Sequence, residues 1–198
     1  MTDADAKKHT TAFGWCGLLA VLAFVAMWIA CVLLDSSWTW GQNAISDFGI
    51  SDTDAASYFK YGMIIAGALL AVFGVGEAFN KKQTGYIVSG IMLVLTGICL
   101  ALVGTFTLNY YNGDLHHMFA YMTCIFMLAA VIAAAAQYWA CGRIVVGGIS
   151  IVIFCAAMAA VIAFPFEKFE VTVIVLALIW LIMHASMTVA YGDRRKLE

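Results

Sequence analysis

Two short motifs hold most of the side chains in this sequence that could do chemistry. The first, Asn43-Ala-Ile-Ser-Asp-Phe-Gly49, carries Ser46 and Asp47; the second, Asn109-Tyr-Tyr-Asn-Gly-Asp-Leu-His116-His117, carries Asp114 and two imidazoles. Carboxylate oxygens and imidazole nitrogens suit zinc or another divalent cation, and histidine also serves as a general base. Ser46, Asp47, His116 and His117 are therefore the catalytic candidates, and Asp47, Asp114, His116 and His117 the candidate metal ligands. All five together form the candidate ligand-binding set. Spacing argues for a plainer account, in which the histidines are interfacial and the aspartates cap helices. No HExxH or His-x3-His pattern occurs, and neighbouring histidines on a helix point about 100° apart, so at most one aims squarely into a bundle. In the first motif Ile45 and Phe48 can anchor one side of a short turn and leave Ser46 and Asp47 on the other, with Gly49 permitting a left-handed backbone.

A second set lies deeper. Glu77 and His184 fall inside long apolar runs, where charge is costly and an ionisable residue is a functional candidate by default. The two can pair with each other and would then suit proton coupling. The competing account gives Glu77 an i,i+4 partner in Lys81 and makes His184 a neutral, hydrogen-bonded core residue.

The elements that must position these groups follow from composition. The chain has 198 residues, of which 64% are hydrophobic and 11% charged, and a mean hydropathy of +0.95. That leaves too little polar surface to coat a soluble globule. A hydrocarbon layer about 30 Å thick needs roughly 20 apolar residues of helix. Six such spans fit, at Ala12 to Leu34, Tyr58 to Phe79, Gly85 to Leu108, Leu115 to Ala140, Ile144 to Phe164 and Val171 to Tyr191. The runs are continuously apolar rather than alternating, which excludes a transmembrane barrel. The expected fold is all-α, one domain, a six-transmembrane-helix bundle. The first run is long enough to span and shows no small-residue cleavage pattern, so it is expected to remain as a helix.

Basic residues set the expected orientation. Lys7, Lys8, Lys81, Lys82, Arg143, Arg194, Arg195 and Lys196 fall on one side of the six-span arrangement and only Lys60 and Lys168 on the other. Both termini are expected in the cytoplasm, with the chain in the plasma membrane and the Asp35 to Ser57 loop outside. That loop is the only long polar stretch in the sequence and contains four aspartates. Within it, Ser51-Asp-Thr-Asp54 matches a capping box, with Asp52 and Asp54 favoured by the positive end of the following helix.

Glycines recur at seven-residue spacing, Gly67 and Gly74 in the second span and Gly90, Gly97 and Gly104 in the third, so a close contact is expected between these two helices. Trp28, Trp38, Trp40 and Trp139 lie near span ends as interfacial anchors, whereas Trp180 is mid-span and needs a partner for its N–H. Pro165 is expected to stop the fifth span, with Phe166 to Glu170 as a short amphipathic turn. The six cysteines show no CxxC and suggest neither a disulfide framework nor a metal site.

Several of these motifs, in this order, resemble the prokaryotic membrane family called domain of unknown function 998. They are Ile45-Ser-Asp-Phe-Gly49 after the first span, the glycine-rich second span, Val103-Gly-Thr-Phe106 ending the third and Leu115-His-His117 opening the fourth. More distantly the chain is similar to the DRAM-like six-span membrane proteins. The resemblance covers most of the chain and implies the fold and a shared outer-face motif built on Ser46, Gly49 and His116 or His117; it implies no reaction. Thr107 stands where the family usually has proline. The alkaline ceramidase and adiponectin-receptor hydrolases use a Ser, an Asp and three His around zinc, two of them in the final span. Here the sixth span offers only His184, on the opposite side of the membrane from His116 and His117.

The function expected is binding of a small ligand, a lipid headgroup, an amphiphile or a cation, in an outward-facing polar recess. Two alternatives differ in class. One is a metal-assisted hydrolase of lipid-like substrates, with a zinc-like divalent cation as cofactor; the other is a proton-coupled secondary transporter using Glu77 and His184, although no inverted repeat is visible. The expected partners are membrane lipids, with homo-oligomerisation open, and the net charge of −2 suggests no nucleic acid.

Overall fold

A computed structural model of the chain describes residues 3–80 and 83–191, with side chains for all of these except 3–10, 80, 112 and 191. Six long helices account for nearly all of it: α1 (Asp3–Leu34), α2 (Ala55–Asn80), α3 (Thr84–Thr105), α4 (Asp114–Ala140), α5 (Ile144–Ala163) and α6 (Phe166–Tyr191). Two short 3-10 turns, Ile45–Ile50 and Tyr111–Gly113, lie in the connections before α2 and α4. Each of the six contains a segment long and apolar enough to cross a membrane. The chain is an all-α, multi-pass membrane protein.

Neighbours in the chain are neighbours in space, and α6 closes the ring by packing on α1. The glycines show how. A Cβ on Gly67 would collide with the carbonyl oxygen of Gly97, and one on Gly74 would sit 2.6 Å from the carbonyl of Gly90. Rising numbers in α2 thus meet falling numbers in α3: the two run antiparallel with their backbones in contact, as the seven-residue glycine spacing predicts. In lipid such close packing supplies association that hydrophobic burial cannot. Gly14 and Gly17 do the same for α1 against Val189 and Ala185 of α6. Gly147 lets α5 approach Trp139 and Ala135 of α4, whereas its neighbour Gly148 faces open space.

Helix ends depart from the sequence expectation in three places. First, α2 begins at Ala55, later than a cap at Ser51 requires, and it is the Asp54 carbonyl that accepts the first helical bond, from Tyr58 N at 3.1 Å. Ser51 is used otherwise: its hydroxyl donates to Asp35 Oδ2 at 2.6 Å and accepts from Thr53 N at 3.2 Å. Second, Phe166 to Glu170 is no separate amphipathic turn but the first turn of α6. Pro165 lacks an N–H and cannot continue α5, yet its carbonyl accepts from Phe169 N at 2.9 Å, so one residue ends a helix and starts the next. Third, Gly49 is not left-handed; the glycines with positive φ among the described residues are Gly41, Gly113 and Gly142. Gly49 is needed for room, since a Cβ there would meet Phe59 and Thr107 at 3.1 Å. Thr107 is itself buried, and its carbonyl accepts from Tyr110 N at 3.0 Å to begin the turn towards α4.

Candidate functional site

The polar loop folds over one end of the bundle, here the loop end; α1 begins and α6 ends at the other, the terminal end. Ile45 and Phe48 are fully buried and anchor the 3-10 turn among Phe59, Met63 and Val171. Trp38 stacks on Phe48 at 5.2 Å and donates its Nε1–H to the Ala44 carbonyl at 2.8 Å. Trp28 and Trp40, stacked at 5.9 Å, flank it. The three tryptophans at this end form one cluster.

Asp47 accepts from Ala44 N at 2.9 Å and from Asn43 Nδ2 at 3.4 Å, so its carboxylate braces the start of its own turn. Ser46 is buried and, together with the backbone of Ile45, donates to the carboxylate of Glu170 on α6; the Ile45 N–H bond is 2.7 Å. His116 is buried too, with Nδ1 3.0 Å from the Phe106 carbonyl at the end of α3. Half-buried His117 packs against Tyr121 and Phe166, while Asp114 is exposed in the first turn of α4. Ser46 and Asp47 thus belong to one hydrogen-bonded unit with Glu170, and His116 to another with the α3 terminus. Among the described residues no three His, Cys, Asp or Glu side chains converge as a metal site would require. The partner that sequence reasoning missed is Glu170, whose distance of 125 residues from Ile45 leaves no local signal.

At the base of the loop Asp35 accepts from the Ser37 hydroxyl at 2.5 Å and its backbone N–H at 3.0 Å, and also from Ser51. The Ser37 and Ser51 hydroxyls hold the carboxyl below its ordinary value. A group whose folded value is depressed contributes fully above the unfolded value and loses its contribution as the pH falls through the folded one. Amide exchange of residues 35–53, corrected for its intrinsic pH dependence, is therefore expected to stay flat at neutral pH and to rise below about pH 4. In Asp35→Asn the faster exchange should be present throughout.

Between this loop and the start of α6 lies a recess of about 140 Å³, lined by Trp40, Gly41, Phe164, Glu167, Lys168 and Thr172, with Val171 at its wall. Gly41 takes a left-handed φ of +77° that favours glycine, and it lies beside the Lys168 stem, where an added Cβ would be in ordinary contact at 3.4 Å from Lys168 Cε. An apolar wall, one ammonium and one carboxylate thus face a common space at the loop end.

The deep residues meet. His184 Nε2 lies 2.8 Å from Glu77 Oε2 and its Nδ1 lies 2.7 Å from the Tyr138 hydroxyl. All three side chains are at most 1% exposed. Trp180 lies parallel to the imidazole, centroids 4.5 Å apart and planes at 14°, and Phe73 meets it edge-on at 5.7 Å. The Trp180 N–H donates to Ser150 Oγ at 3.1 Å, which supplies the partner a mid-span indole needs. Helices α2, α4 and α6, alternate members of the ring, are joined through these side chains at its centre, and Ser150 of α5 holds the indole behind them. Lys81, the alternative partner for Glu77, lies outside the described residues, as do Lys82, Arg194, Arg195 and Lys196; the side chains of Lys7 and Lys8 do too. Tyr138 was missed by sequence reasoning, because a tyrosine within an apolar run carries no signal of its own.

Six membrane-length helices with polar groups bonded inside the ring define a multi-pass integral membrane protein. A model of the family described as protein of unknown function, DUF998, matches residues 18–187, and the chain belongs to that family. Comparison with curated proteins and with solved structures gave no match.

Proposed function

We propose that this protein binds the headgroup of a lipid-like amphiphile in the recess between the 35–53 loop and α6, on the outer side of the plasma membrane with both termini in the cytoplasm. The observation that carries this reading is the composition of the recess wall: Trp40 and Phe164 offer aromatic surface of the kind that sits at membrane interfaces, beside Lys168 and Glu167. A phosphate-bearing headgroup would be drawn to the Lys168 ammonium, and an amine on the same headgroup to the Glu167 carboxylate. Ser46 and Asp47 act indirectly, through Glu170: they fix the turn that holds the loop against α6 and so keep the recess in shape. His117, against Phe166, supports the same helix start from the other side. The hydrolase alternative asks for converging metal ligands, which the described residues do not bring together.

The test uses protein in nanodiscs and water-soluble dihexanoyl phosphatidylethanolamine as the probe. Saturable binding is expected, weakened about tenfold by Lys168→Glu, a loss of about 1.4 kcal/mol. Equal binding by wild type and Lys168→Glu, or no saturable binding, would remove the reading.

A further inference from the structure

We propose that the Glu77–His184–Tyr138 chain is a proton-binding site, one that takes up and releases a single proton inside the bundle. The proposal goes beyond the loop-end recess and stands on separate residues. Both imidazole nitrogens are engaged, Nε2 by a carboxylate and Nδ1 by a phenol, at 2.8 and 2.7 Å. This heavy-atom arrangement serves two proton counts. With the lower count, Glu77 is ionised, the imidazole hydrogen is on Nε2 and donates to it, and Tyr138 donates to Nδ1. Adding one proton at Nδ1 makes the imidazole a donor at both ends. The Tyr138 oxygen then accepts instead of donating, and its own hydrogen turns away from His184. No heavy atom has to move, and nothing is oxidised or reduced.

The surroundings suit the loaded form. An indole face holds a cation more strongly than a neutral ring, and Trp180 presents its face to His184 at 4.5 Å and is fixed there by Ser150. A carboxylate faces the opposite edge of the plane. Purely structural burial would not call for such a set: replacing a buried ion pair by well-packed apolar residues is often neutral or stabilising. Tyr86 of α3 meets Tyr138 edge-on at 5.7 Å, and the turn after α4 carries Cys141 and Arg143. Cys141 is exposed and Arg143 half-buried, at the terminal end. Each packed element is thus accounted for among the described side chains. Glu77 faces the site from α2, Tyr86 from α3 and Tyr138 from α4. From α5 comes the neutral Ser150, with Arg143 just before that helix; α1 contributes no charged group from Thr11 to Leu34, only the Cys16 thiol in the same packed cluster.

Trp180 is a built-in reporter, because an imidazolium stacked on an indole quenches its fluorescence. The experiment is a pH titration of tryptophan emission from the full chain in nanodiscs, with the Trp180→Phe titration subtracted to isolate this one indole. A single-proton quenching step is expected as the pH falls. It should be lost in His184→Gln and kept in Tyr138→Phe, and Glu77→Gln, which removes the carboxylate facing the ring, should displace it from the wild-type pH. A flat Trp180 signal, or a step that survives His184→Gln, would overturn the proposal. Should His184→Gln fail to fold, Glu77→Gln decides alone, and a step at the wild-type pH counts against it. Headgroup binding through Lys168 is read separately, so either proposal can fail without the other.

Discussion

Replacing His184 with alanine is expected to destabilise the folded protein by about 3–5 kcal/mol, the cost of breaking a buried carboxyl–imidazole pair by removing one partner. The substitution strips Glu77 of its imidazole and Tyr138 of its hydrogen-bond partner, and leaves space under the Trp180 ring. Each loss adds to the next, because a buried polar group deprived of its partner costs its full desolvation. Reversible unfolding in mixed micelles is the measurement. The double variant Glu77→Leu/His184→Leu is expected to lose less than His184→Ala alone, since it removes the carboxylate together with the ring. A double-mutant cycle over the two sites should give a coupling well above about 0.5 kcal/mol, the range found for independent positions. A His184→Ala penalty under about 1 kcal/mol would mean that the pair contributes nothing to holding α2 and α6 together.

The difference between what the sequence shows of this site and what it hides is one of range. Glu77 and His184 stand out because each is an ionisable group in an apolar run, and that property is local. Their pairing is not, since 107 residues separate them, and Tyr138 lies 46 residues from His184. Which faces meet is fixed by the ring of helices. The spans themselves are legible for a local reason: a continuous apolar run of membrane length has few alternatives in lipid. Their ends are less so. Phe166 to Glu170 is polar enough to be taken as interfacial, yet helix α6 begins there, because a carboxylate in a first turn is favoured by the helix dipole and Pro165 can precede a helix without losing a bond.

At the loop end the same limit applies. Ile45 and Phe48 anchor the turn as their alternation with Ser46 and Asp47 suggests. The step from that turn to Glu170, however, crosses almost the whole chain. Asp47 and His116 share an end of the bundle but serve different neighbours, one its own turn and the other the α3 terminus. Sharing a membrane face is a weaker constraint than sharing a helix contact, and only the second makes a site.

The glycine row is where a local pattern does imply a tertiary contact, and it carries the second large effect expected. Gly97→Ala places a methyl group against the Gly67 carbonyl and 2.6 Å from Ala71 N, both backbone atoms that no rotamer change can move aside. Helices α2 and α3 must separate, at a cost of about 1–3 kcal/mol for a single carbon, and Gly97→Leu should cost more or prevent assembly. Gly148→Ala is the matched control. It lies in a transmembrane helix as well, but nothing stands within 4 Å of its added Cβ. There alanine's better helix propensity is expected to leave stability unchanged or raise it by up to about 1 kcal/mol. If the two substitutions behave alike in mixed-micelle unfolding, the α2–α3 backbone contact does not limit stability; a penalty confined to Gly97 assigns the loss to that contact. Because Glu77 sits three residues beyond Gly74 on α2, separating α2 from α3 should also displace the carboxylate from His184. Gly97→Ala is thus expected to disturb the Trp180 titration while leaving headgroup binding through Lys168 in place.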